Sequence, residues 1–265
     1  MLGLFKPRLP IDDEEFEWLL ATFAWLLREF GGNSDLRDAE LILPDQRFFP
    51  ASRLTGHARA FELFEQVKAH AGMEAWPCEL VAGTPERERR VTDGHALRHE
   101  SPAPPLGTFG RSGGRCYVSY NPSELRHPQS LVATFAHELA HYLMRTAETP
   151  PPGGRDLIEH ATDLAAVFLG FGIFMANSAK DFRQFQDFGE QGWEMRGRGY
   201  LSENALVAAL ALFVTLSGAS AREAGQGLKD YLRKPFRNAR KAIARDYPDL
   251  RGALADVDFG EWHLE

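Results

Sequence analysis

The stretch Leu131-Val132-Ala133-Thr134-Phe135-Ala136-His137-Glu138-Leu139-Ala140-His141-Tyr142-Leu143 decides the reading of this chain. Leu131, Val132, Phe135, Leu139, Tyr142 and Leu143 supply an apolar face at helical spacing, and neither Pro nor Gly falls between Gln129 and Arg145. A helix is therefore predicted over residues 128–145. His137 and His141 stand four positions apart, one turn along one helix face, where two imidazoles can converge on a single ion. Glu138 is rotated by about 100° from His137. It falls outside the histidine row but within reach of a water held on a metal. The pattern is H-E-x-x-H: two nitrogen ligands and a general base.

A catalytic zinc ion normally takes three protein ligands and keeps one position open. Glu159-His160-Ala161-Thr162-Asp163 begins 18 positions after His141, on the next predicted helix, 156–177. Thr149-Pro150-Pro151-Pro152-Gly153-Gly154 separates the two helices and permits the chain to reverse. Glu159 and Asp163 are again one turn apart. Glu159 is read as the third ligand. Asp163 is read as accepting a hydrogen bond from an imidazole N–H of a ligand histidine, which fixes its tautomer and raises its basicity. The alternatives are Asp163 as ligand with Glu159 in support, and His160, which points about 100° away from that row. Ala166 and Gly170 continue the row with small side chains that let the helices approach.

HELAH followed by ExxxD on the next helix resembles the gluzincin branch of zinc metallopeptidases, the thermolysin-like pattern. The matching residues are His137, Glu138, His141, Glu159 and Asp163. The resemblance covers residues 115–177, about a quarter of the chain. It implies a zincin-like helical core, one zinc ion per chain, and hydrolysis of peptide bonds in a peptide or protein substrate. It also implies a substrate-lining strand before the motif helix, for which Arg115–Tyr120 stands in the right order, and a downstream histidine or tyrosine for the oxyanion. Tyr200 is the best-placed candidate for that last role by order, with His160 and Tyr142 behind it. Two alternatives share the same site: a non-proteolytic zinc scaffold, sensor or partner-binding protein, and amide hydrolysis on a small non-peptide substrate.

Working outward, helices are expected over 12–30, closed by Gly31-Gly32, and over 57–71, with Phe61, Phe64, Val67 and Lys68 at helical spacing. Strands are expected at Leu41-Ile42-Leu43, at 78–82 and at Arg115–Tyr120. The Gly-, Pro- and charge-rich stretch 83–114 reads as partly loop. Ser202 is expected to cap a buried helix over 203–216, followed by amphipathic helices over 221–233 and 235–246. Mixed elements early and helices late give an α+β fold. One domain over 1–265 is expected, with a mixed part, 1–120, packed on a helical part, 121–265.

Composition narrows the function. Thirty Lys and Arg against 37 Asp and Glu leave net −7, which disfavours binding to duplex nucleic acid. The run Arg87-Glu88-Arg89-Arg90 is too short to reverse that. Two cysteines, Cys78 and Cys116, supply neither metal-ligand spacing nor a disulfide framework. The histidine pair His95 and His99 lacks a glutamate and sits in loop-like sequence. Lys6-Pro7-Arg8 interrupts the apolar start before an export signal forms. The apolar run 164–176 is 13 residues, shorter than a bilayer span and suited to a buried helix. A cytoplasmic protein with no membrane or nucleic-acid partner is the expectation.

Overall fold

The computed structural model describes residues 7–31, 36–37, 39–83, 107–112, 115–184 and 201–262. It is α+β: helices dominate, and a small three-stranded sheet packs against them. The first helix, α1 (Asp13–Phe30), is capped by the Asp12 carboxylate, which accepts from the Glu15 N–H. It buries Phe16, Trp18, Leu19, Phe23, Trp25 and Leu26. An extended segment through Leu41, Ile42 and Leu43 follows. It is buried, but it forms no strand. Its β-rich composition reflects burial against a helix rather than pairing in a sheet, because Ile42 donates its N–H to the Gly170 carbonyl at 3.1 Å.

Helix α2 (Gly56–His70) packs Ala60, Leu63, Phe64 and Val67 inward. Phe61 is 48% exposed, contrary to expectation. It sits one residue past Ala60, and a helix cannot bury every apolar residue of a crowded stretch on one stripe. Lys68 is buried with its stem in the core and its ammonium 3.4 Å from Glu65.

The sheet contains β1 (Glu79–Ala82), β2 (Gly107–Ser112) and β3 (Arg115–Tyr120), in the order β1-β3-β2. β1 runs parallel and β2 antiparallel to β3. β3, rich in aromatic and β-branched residues, is the central strand. β2 emerges from the glycine-rich stretch where composition gives the weakest signal. Cys78 and Cys116 are free thiols, and burial with the neighbouring Cys116 pushes Cys78 up to about 12.

The motif helix is α3 (Pro128–Met144), with Pro at its first position. A short 3-10 turn (Gly154–Leu157) leads into α4 (Ile158–Ala166). A π turn (Val167–Phe171) then joins α4 to α5 (Gly172–Gln184). Gly170 has φ of 96° there, and a Cβ at that position would meet the Glu40 carbonyl oxygen at 2.3 Å. The missing side chain thus admits the 40–42 segment rather than α3. By length and composition the helical run Gly154–Lys180 could cross a membrane, yet 72% of its most apolar window is buried inside the molecule.

Helix α6 (Glu203–Ser217) is capped by Ser202, whose hydroxyl accepts from Ala205, and is buried nearly throughout. α7 (Ala221–Gly227), α8 (Asp230–Asp246) and α9 (Leu250–Ala255) follow, with a 3-10 turn (Phe259–Trp262) after them. The break between α7 and α8 falls at 228–229, not before Pro235 as the proline suggested. Pro235 lies inside α8, at a cost of about 3 kcal/mol for the forgone amide donor, which the burial of Leu232, Phe236, Ala239 and Ile243 offsets. One continuous set of buried side chains joins α1, α2, the sheet, and α3 to α8.

Candidate metal centre

Three features bring α3 and α4 into register. The first is the loop between them, which α1 clamps. Trp18 Nε1 donates to the Pro152 carbonyl at 3.1 Å, and Trp25 Nε1 donates to Thr149 Oγ1 at 2.9 Å. Thr149 Oγ1 donates to Glu29 Oε1 at 2.6 Å, and the Glu148 N–H donates to Glu29 Oε2 at 2.7 Å. The second is Gly153, whose φ of 80° lets the chain turn back. The third is the small-residue seam of α4, where Ala161, Ala165 and Ala166 are fully buried.

The result is a cluster of nitrogen, nitrogen and carboxylate donors. Glu159 Oε2 lies 3.4 Å from His137 Nε2 and 3.3 Å from His141 Nε2. One ligand atom from each of the three residues falls within 4.8 Å of the others, so the group could hold a metal ion. The two imidazole rings stand perpendicular, with centroids 4.7 Å apart. His137 is closed off at 2% side-chain exposure, whereas His141 and Glu159 are 24% and 43% exposed. The cluster therefore opens to solvent on one side, as a site with a free coordination position requires.

Around the cluster, Asp163 Oδ1 accepts from His137 Nδ1 at 2.9 Å, which turns the Nε2 atom toward Glu159. Its other oxygen accepts from the Leu201 N–H at 2.7 Å, so α4 is also tied to the entry of α6. Asp163 takes the supporting place and Glu159 faces both histidines. His160 sits edge-on to Trp18 of α1, away from the cluster.

The electrostatics fit a cation held among these groups. Burial by itself would lower His137, but the bonds to Asp163 and Glu159 raise it to about 10. Burial likewise works to raise Glu159, and the two histidines overcome it and hold the carboxyl far below its usual range. In the metal-free molecule a proton on His137 therefore supplies part of the positive charge that a divalent ion would bring to the same carboxylate. The donor set of two imidazoles and one carboxylate, with a carboxylate behind one imidazole, suits zinc.

Glu138 is 4% exposed. Burial pushes its carboxyl up, the charges of His137 and His141 oppose that, and the Phe109 backbone N–H supplies a stabilising hydrogen bond. That contact places β2, one of the two edge strands of the described sheet, against α3. β3 precedes the motif helix in sequence, but β2 is the strand beside the general-base candidate. Tyr142 stacks on Phe109 with centroids 5.0 Å apart and meets Trp76 edge-on, so its ring belongs to the contact with β2. Tyr200 lies outside the described residues, as do His95, His99 and the 87–90 run.

Sequence reasoning missed three contributors: the Phe109 N–H on Glu138, the Leu201 N–H on Asp163, and Thr162, whose hydroxyl lies 3.3 Å from His141 Nδ1. Two of these are backbone groups, which leave no mark in residue identity. No family model, curated protein or solved structure matches the chain.

Proposed function

We propose that this protein is a zinc-dependent metallopeptidase that hydrolyses peptide bonds in a peptide or protein substrate. The observation that carries the reading is the convergence of His137 Nε2 and His141 Nε2 on one oxygen of Glu159, at 3.4 and 3.3 Å. His137, His141 and Glu159 would hold one zinc ion per chain. Bound there, zinc would polarise a carbonyl and lower the pKa of water toward neutrality.

The chain's own groups have distinct parts. Asp163 fixes the His137 ring and its tautomer. Glu138 takes a proton from the attacking water and delivers it to the leaving amide nitrogen, so that the C–N bond breaks with a neutral amine as product. Its raised pKa suits both halves of that transfer. An extended peptide would lie along β2, the edge strand beside Glu138, as an added strand. Tyr200 is proposed for the developing oxyanion.

Protein purified without added zinc should contain about one zinc per chain, and His137→Ala and His141→Ala should each abolish it. Glu138→Gln should keep the metal and lose peptide-library cleavage by about 10²–10⁴-fold. A wild type that holds zinc but cleaves no peptide would replace this reading with a zinc scaffold or sensor. Undiminished cleavage by Glu138→Gln would remove Glu138 as the base.

A further inference from the structure

One face of α4 carries three consecutive contacts to the histidines of α3. Glu159 stands between the two Nε2 atoms, Asp163 meets His137 Nδ1, and Thr162 Oγ1 lies 3.3 Å from His141 Nδ1. Each imidazole is thus held at both nitrogens by the same helix. Thr162 is fully buried, and its hydroxyl also donates to the Ile158 carbonyl at 2.8 Å. A hydroxyl has one proton to give and lone pairs to accept with. With that proton committed to Ile158, the oxygen facing His141 acts as an acceptor. When Nε2 is given to a metal ion, His141 carries its proton on Nδ1 and donates it to that oxygen.

We propose that Thr162 is a positioning residue that fixes the tautomer and ring orientation of His141 for metal binding. The inference rests on the reading of His137, His141 and Glu159 as ligands. It explains how His141, whose Nδ1 meets no carboxylate among the described residues, is oriented. It also sets an asymmetry within the centre: His137 is backed by a full negative charge and His141 by a neutral oxygen. The Thr162 backbone N–H faces the same Ile158 carbonyl through the ordinary helical pattern. Removing the hydroxyl therefore leaves that carbonyl paired and strips only His141 of its partner.

The test compares Thr162→Val, which keeps the branched shape without the hydroxyl, with Thr162→Ser, which keeps the hydroxyl. Zinc alone is the probe, titrated in competition with a chromophoric chelator. Thr162→Val should bind zinc about 10–100-fold more weakly, with an unfolding midpoint of the metal-free protein close to wild type. Thr162→Ser should restore most of the affinity. Ring ¹⁵N shifts of the zinc-loaded wild type should show His141 bound through Nε2 and protonated at Nδ1, and Thr162→Val should shift the Nδ1 signal as its hydrogen bond is lost. Undiminished zinc affinity in Thr162→Val, equal weakening in Thr162→Ser, or zinc bound through His141 Nδ1 in wild type would overturn the proposal. The control is His141→Ala. If it loses zinc while Thr162→Val keeps it, only the role of Thr162 fails; if His141→Ala keeps zinc, the metal centre itself fails.

Discussion

Asp163→Asn tests the centre most directly, because Asp163 is 1% exposed and both of its oxygens are in use. Oδ1 accepts from His137 Nδ1 at 2.9 Å, and Oδ2 accepts from the Leu201 N–H at 2.7 Å. Asparagine has nearly the same shape but offers one carbonyl oxygen and one NH2. Whichever way the amide sits, one of those two donors faces another donor. A charge-assisted hydrogen bond contributes about 1.5–3 kcal/mol, so the metal-free protein should lose about that much stability. If the oxygen stays on His137, the loss falls on the tie to Leu201. If it turns to Leu201, His137 loses its orientation. In either case the negative charge behind the imidazole is gone, and zinc affinity should fall about 10–100-fold. The assays are denaturant unfolding of the metal-free protein and competition titration with zinc. Zinc affinity equal to wild type would refute the claim that Asp163 prepares His137 as a ligand. Asp163→Ala is a poorer probe: it orphans both donors in the interior, at a cost of about 3–5 kcal/mol, and that approaches the total stability of many domains.

Two further outcomes follow from the same geometry. Gly170→Ala should destabilise the protein by about 1–3 kcal/mol from the left-handed backbone alone, and by more because a Cβ there meets the Glu40 carbonyl oxygen at 2.3 Å. An unchanged midpoint in chemical denaturation would show that the 40–42 segment yields freely. Zinc binding should be pH-dependent. The pKa of His137 is raised from 6.5 to about 10 in the metal-free molecule. The stability it adds to the metal-free fold is therefore fully present below 6.5 and is lost as pH rises through about 10. Zinc must displace that proton, so near neutral pH about one proton should be released per zinc bound, and affinity should climb with pH. Calorimetry in buffers of different protonation enthalpy counts the proton; a count of zero would contradict the assignment.

Sequence and tertiary structure contributed different parts of this account. The α3 helix, the common face of His137 and His141, the Ser202 cap, the buried character of 164–176 and the α+β class follow from periodicity and local chemistry. These act over one or two turns of chain and are written in residue types. The spacing of Glu159 and Asp163 was equally legible, but not which of them faces the histidines. That depends on how α4 is rotated against α3, and the loop that leads into α4 is anchored by Trp18, Trp25 and Glu29, more than 100 positions away. Leu41–Leu43 shows the converse: strand-like composition that ends as a paired but isolated segment, because its partner is the Gly170 carbonyl and not another strand. The contacts of the Phe109 and Leu201 amides were beyond any reading of side chains, since every non-proline residue carries the same N–H and only the fold decides where it points.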